Sequence, residues 1–314
     1  MTTPTVLIGT WRDGLFIVTG DSIRHEFTGR TVCGLTRDRR GGVLAILDRH
    51  RVGRLTRAGE WQLVAEVESS LACCLELGEA IYGGSEDARV LRIDARGRCE
   101  ALDAFDTVAG REKWYAGAAL IDGKLVGPPL GVRSMAATCD EAALLVNVHV
   151  GGIPRSTDGG STWQPTLEVD LDVHEVSAHP SRPELVAAAS AAGLCISRDA
   201  GATWTVEQEG LHARYCSAVA FAGDDLLVAA SDGHFAAEGA IYRRSVDGTA
   251  PLRPLEGGFP RWVSGICDTD GIAVEGSRIA VADRAGNLYL SDDFGRRWSC
   301  RATGARSPSA IALL

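Results

Sequence analysis

The stretch STDGGSTW at residues 156–163 returns as SRDAGATW at 197–204 and as SDDFGRRW at 291–298, with a worn copy, RSVDG, around Ser245. An Asp, a hydroxyl and a Trp held close together could be an active site or a turn. Recurrence at a period of about 40 residues favours the turn, because fixed-period self-similarity is the mark of a repeated supersecondary unit. Around each copy the same order returns: a short apolar strand, a turn, a β-rich strand, a Gly-led strand, the phrase, and a further strand. VHEVSAHP, LVAAAS, GLCISRD and TWTVEQ, from Val173 to Gln208, show it best. Alternation and length favour strands over helices throughout, and four antiparallel strands per unit predict an all-β protein made of β-propeller blades.

Counting first strands fixes the number of blades. TVCGLTR at Thr31, LACCLEL at Leu71, VRSMAATC at Val132, VHEVSAHP at Val173, YCSAVAF at Tyr215 and a looser GICDTDGIAV at Gly265 give six. The seventh, SAIALL, lies at the C-terminus without a blade of its own. At the other end TVLIGT, GLFIVTGD and SIRHEF read as second, third and fourth strands without a first. One blade shared by both ends closes the ring and removes an open sheet edge. The expectation is a single seven-bladed domain spanning residues 1–314. Within it the phrase becomes a hairpin between third and fourth strands. Ser and Asp bond the turn's own backbone, Gly supplies the positive φ, and Trp packs where neighbouring sheets meet.

The phrase matches Ser-x-Asp-x-Gly-x-Thr-Trp, and the chain thereby resembles the Asp-box (BNR repeat) propellers, which include sialidases, sortilin-type receptors, large xyloglucanases and photosystem assembly factors. The resemblance implies the fold and leaves the chemistry open. Sialidase activity would imply an Arg triad, a Tyr with a Glu partner, an Asp, and an Arg-Ile-Pro motif near the start of a six-bladed ring. Here the nearest string is GIPR at Gly152, and Tyr215, Glu175 and Arg133 are only loose counterparts, so sialidase activity is not expected. Xyloglucanases pair two propellers where this chain has length for one. Sortilin-type receptors are larger, secreted and disulfide-bearing. The assembly factors are closest in size but carry a leader or anchor and a basic patch.

Composition narrows the partners. The chain has 314 residues, 45% of them hydrophobic, and 32 Lys plus Arg against 41 Asp plus Glu, a formal charge of -9. That balance argues against nucleic acid as the main partner. The start, MTTPTVLIGTWRDGLF, does not read as a signal peptide, and the most apolar run, LVAAASAAGLCI from Leu185, is too short and too Ser-interrupted to span a bilayer. Nine irregularly spaced cysteines read as reduced thiols, most of them, such as Cys73, Cys74 and Cys139, as small buried hydrophobes. The expectation is a cytoplasmic protein with no membrane partner.

If the repeated phrases lie on one face of the disc, function belongs on the other. That face collects TWRDG, DRHR, NVHVGG, DLDVHE, LHARYC, SDGHF and FPRW, and with them His50, His149, His174, His212 and His234. Alignment of the repeats sets Arg133, His174 and Tyr215 at equivalent starts of successive first strands, lining the mouth of a central channel, with Trp11, Asp48, His149, Ser190, Ser231 and Asp283 beside it. Three readings compete. His149, His174, His212 and His234 could hold a divalent transition metal, with Asp172, Asp232 or Glu175 in support. His174, His149, Tyr215 and Glu175 could do acid–base chemistry on a small anionic substrate held by Arg133, Arg214 and Arg261 and flanked by Trp11 and Trp114. Or the cluster could merely satisfy polar groups in a watery channel. Residues 106–131, far longer than other connections, would suit a lid carrying Arg111, Lys113, Trp114 and Tyr115, or an extra hairpin stiffened by Pro128 and Pro129. A smaller expansion, Ser231 to Ala240, enters the same face. The function expected is small-molecule binding with metal-assisted hydrolase or lyase chemistry; the alternative is a non-catalytic protein-interaction or assembly scaffold.

Overall fold

A computed structural model describes residues 4–116, 119–121, 124–126 and 130–314. Its strands form seven blades, each an antiparallel four-stranded sheet running outward in chain order. In blade 1 the innermost strand is Pro308–Leu313, paired with Thr5–Thr10, followed by Leu15–Thr19 and Ser22–Glu26. The two ends of the chain therefore share a blade and close the ring. Blades 2 to 5 begin with Val32–Arg37, Leu71–Leu77, Val132–Ala137 and Val173–Ala178. Blade 6 begins with Tyr215–Ala222 and gains a fifth piece, Val263–Ser264, on Glu238–Ser245.

The core explains why these strands read as continuous apolar runs. In Thr5–Thr10, Val6 and Ile8 pack towards blade 7 while Leu7 packs towards blade 2. Each inner strand thus buries both faces, and the period-two alternation of its side chains serves two seams at once, whereas outer strands such as Ser22–Glu26 are largely exposed. The seven hydrophobic clusters fall one to each seam, including the closing seam of blades 7 and 1.

The opening phrase is the hairpin it was expected to be. Ser156 Oγ donates to Asp158 Oδ1 (2.8 Å), Asp158 accepts from the backbone N–H and hydroxyl of Thr162 (2.8 and 2.7 Å), and Gly160, at φ 92°, donates to Ser156 Oγ (2.8 Å). Trp163 seals the seam and donates from Nε1 to Gly160 O (3.0 Å). The copies at Ser197 and Ser291 repeat the Ser to Asp and Gly to Ser bonds.

Two expectations need correction. The first strand of blade 7 is only Ile272–Glu275; Gly265 to Gly271 lie outside any strand, with Gly265 and Asp270 at positive φ (73° and 57°). Cys139 is exposed, because it follows the first strand of blade 4 rather than lying within it. All nine cysteines are free, and Cys73 and Cys74 are buried as expected.

Candidate functional site

A β-bulge recurs near the start of the first strand. Partner registers skip one residue at Ala72, Arg133, His174, Ser217 and Ser309. A bulge leaves one residue unpaired and re-aims it. Ser217 and Ser309 spend that freedom on the neighbouring blade, donating to Cys267 O and Val32 O. His174 bonds the next blade through Nδ1, at Cys216 O, and turns Nε2 to the channel mouth, where Arg133 also lies. The register also corrects one alignment: the equivalent of Arg133 and His174 in blade 6 is Ser217, and Tyr215 sits two residues earlier.

His174 and His149 converge on Asp172. Their Nε2 atoms lie 3.6 Å from Asp172 Oδ2 and Oδ1, respectively, and both imidazoles are buried. Asp172 closes a short 3-10 turn, Val169–Leu171, in the connection from blade 4 to blade 5, at a left-handed φ of 47°. Few side chains tolerate that conformation, and Asp is among them. Its carbonyl accepts from Ala191 N (3.0 Å), tying the loop to blade 5. His174 Nδ1 is 2.6 Å from Cys216 O. A carbonyl can only accept, so Nδ1 carries a proton and Nε2 is the nitrogen that faces Asp172. The Tyr215 ring lies against His174, centroids 4.4 Å apart.

Blade 7 supplies what sequence reasoning missed. Thr269 Oγ1 donates to His174 O (3.1 Å) and lies 3.5 Å from Arg133 Nη2, so the Asp268 to Asp270 segment reaches across to blades 4 and 5. Asp268 Oδ2 lies 3.7 Å from Arg284 Nη2 and 3.9 Å from His234 Nδ1. The signal was the looseness of GICDTDGIAV itself, two acids where a first strand should be apolar. Among the described residues Arg133 forms no ion pair, whereas Arg49 is paired with Glu86 and Arg30 with Asp48.

Burial sets the electrostatics. It drives the His149 imidazole down to about 4, helped by Arg133 and opposed by Asp172, so this ring is neutral at neutral pH. Burial pushes Asp172 up, but its hydrogen bond with His174 and the charges of His174, His149 and Arg133 outweigh that and hold it below the ordinary value. Burial lifts Asp270 to about 7, with Arg133 opposing and Asp268 adding to the rise, and it raises the Tyr215 phenol.

The remaining candidates scatter. Glu175 turns from the imidazoles to accept from Val219 N (3.0 Å) in blade 6. His212 and Arg261 belong to a separate cluster on blade 6: His212 Nδ1 lies 2.8 Å from Tyr242 OH, Arg261 donates to the same oxygen (3.2 Å), and its guanidinium stacks 4.2 Å over Trp262. His50 and Arg214 are exposed. The Arg49 guanidinium lies 5.1 Å from the Trp11 ring, which remains exposed. Asp283 is wholly structural, accepting from Ser264 N, Asn287 and Tyr289 OH. Among the described residues no three His, Cys, Asp or Glu side chains are grouped to hold a metal ion. The four-histidine set is therefore not gathered: two imidazoles meet at Asp172, His234 stands by Asp268, and His212 is elsewhere.

The long connection also differs from a simple lid. Trp114 is buried (8% exposed) against Phe105 and under the Arg111 guanidinium (4.8 Å). A Cβ on Gly151 would come 3.1 Å from its ring, and Tyr115 N donates to Val150 O (3.3 Å). Trp114 thus buttresses the turn that carries His149, rather than presenting its face to a ligand. Residues 119–121 and 124–126 pair as a hairpin; Pro128 and Pro129 lie outside the described residues.

No family model matches the chain, and no curated protein matches it. Solved structures do. Apo AztD from Citrobacter koseri is similar over 100% of this chain and 98% of its own, at 12% identity and a TM-score of 0.65. The GH74 enzyme of Niastella koreensis (14% identity, TM-score 0.58) and the GH74 xyloglucanase of Xanthomonas campestris (17%, 0.59) each match 86% of this chain, which spans only 45% of either enzyme. At such identities the likeness establishes a β-propeller and nothing finer. No helix is long and apolar enough to cross a membrane among the described residues.

Proposed function

We propose that the protein binds a small anionic molecule at the channel mouth opposite the Asp-box hairpins and performs acid–base chemistry there, of the hydrolase or lyase type. The observation that carries this reading is Asp172 held between two buried imidazoles, with Arg133 beside them and, among the described residues, no carboxylate in ion-pair contact with that guanidinium. Arg133 anchors the anion through a bidentate fork. His174 Nε2, with Asp172, takes up and returns a proton, while neutral His149 donates or accepts a hydrogen bond without adding charge. The glycoside hydrolases among the structural neighbours are compatible with hydrolysis on this fold. The test is calorimetric titration with a panel of small carboxylates and phosphates. Arg133→Ala should weaken any anion that binds by roughly tenfold or more, and His174→Gln should abolish turnover while sparing binding. No binding anywhere in the panel, or binding indifferent to Arg133, refutes the reading.

One observation favours the scaffold alternative. Phe235 (60% exposed) and Trp262 (39%) belong to the connections at one end of blade 6, where Val263–Ser264 pairs with Glu238 and Gly239. Exposed aromatics of this kind suit a protein partner. A Phe235→Ser, Trp262→Ser variant that keeps anion binding but loses a co-purifying protein would support it; unchanged co-purification would not.

A further inference from the structure

The opposite end of the channel carries a second feature. A cavity of ≈ 460 Å³ lies between the first strands of blades 5, 6 and 7 and reaches the hairpin turns of the Asp-box face at Pro180, Gly223 and Gly276. Its walls are largely apolar, with Ala178, Phe221, Ile272, Val274 and Phe294 among them, and among the described residues Glu175, only 6% exposed, is the one acidic residue in its lining.

Glu175 exceeds its structural task. Its Oε2 accepts the Val219 N–H of the next blade (3.0 Å). One blade earlier, Ser134 occupies the same place beside the bulge and accepts the equivalent Val176 N–H at the same 3.0 Å. A hydroxyl suffices for that bond; Glu adds a second acceptor, taken up by the Asp270 backbone N–H, and an ionisable group, at the cost of burying a carboxyl. Acidic groups gather around it: Asp270 and Asp268 both act on Glu175, and Arg133, the cation that acts on Asp270, lies at the mouth. Burial accordingly pushes the Glu175 carboxyl well above the ordinary range. A cation arriving from the cavity would supply the missing counter-charge, and a hydrocarbon tail would cover the apolar walls.

We propose that this cavity is a binding site for an alkylammonium ion, its ammonium paired with the Glu175 carboxylate and its chain lying along Phe221, Val274 and Phe294. The site is separate from the mouth, because the Asp268 to Asp270 segment reaches across the channel to His174 and Arg133.

Calorimetry with hexylammonium chloride and, as neutral isostere, 1-hexanol tests this directly. The wild-type protein should bind hexylammonium at least about tenfold more tightly than hexanol. Glu175→Gln keeps an acceptor for Val219 N–H and should lose that preference; Ala178→Trp should block the cavity with Glu175 intact. Should Glu175→Gln fail to fold, Glu175→Ser, which copies Ser134, takes its place. Ala178→Trp should leave anion binding at the mouth unchanged, so the failure of this site and of the mouth reading are distinguishable. Equal affinity for hexanol, undiminished binding by Glu175→Gln, or no binding at millimolar hexylammonium overturns the proposal.

Discussion

Replacing His149 should alter how stability depends on pH. In the folded chain burial holds its imidazole at about 4, against 6.5 for an ordinary histidine. Between those values the unfolded chain binds a proton that the folded chain refuses, so stability falls as pH falls. At about 1.4 kcal/mol per pH unit, the loss between pH 7 and pH 4 comes to ~3 kcal/mol. Asp270 runs the other way. Its carboxyl is raised to about 7, so the folded chain keeps a proton that the unfolded one releases, and that contribution is lost as pH rises from 4 towards 7. Raw pH curves therefore mix two opposed trends. The difference between wild type and His149→Asn isolates the histidine, since Asp270 is common to both, and Asp172, held below its ordinary value, stays ionised through the window. Urea unfolding followed by tryptophan fluorescence at half-unit steps from pH 4 to 7 gives the difference. Wild type should lose ~3 kcal/mol relative to the variant on acidification. Curves that stay parallel to within about 0.5 kcal/mol would refute the buried neutral imidazole, and with it the geometry of the mouth.

Other outcomes separate scaffold from site. Trp163→Ala, which empties a buried indole from the seam of blades 3 and 4, should cost about 3–5 kcal/mol by denaturant unfolding without changing ligand affinity. Trp114→Ala should lower Tm and also weaken function that depends on His149, because the ring supports that turn; an effect on affinity with no loss of stability would restore the lid reading. Asp158→Ala should lower Tm while the folded fraction keeps any activity, since its carboxylate is spent within the hairpin. Deleting Pro308–Leu313 removes the innermost strand of blade 1, and the product should be expanded or aggregated by size-exclusion chromatography.

The repeat period, six of the seven first strands and the closure of the ring by both ends were legible in the sequence, because each blade spends its hydrogen bonds and hairpin chemistry locally. Ser156, Asp158, Gly160 and Trp163 act within eight residues of one another, and a pattern of that kind is written in linear order. The polar face followed by alternation of turns, and His149, His174 and Arg133 were read as candidates there. What linear order could not carry was convergence. Whether imidazoles from different blades meet depends on bulges that re-aim single residues. A bulge left His174 and Arg133 at the mouth, put Ser217 where Tyr215 was expected, and left Glu175 serving the next blade. Nor could it show that Asp268, Thr269 and Asp270, which read as a poor strand, cross to blades 4 and 5, or that Trp114 is core. Blade number and topology are sums of local choices that the chain encodes in sequence. The site is a set of contacts between residues up to 136 positions apart, and only the closed ring brings them together.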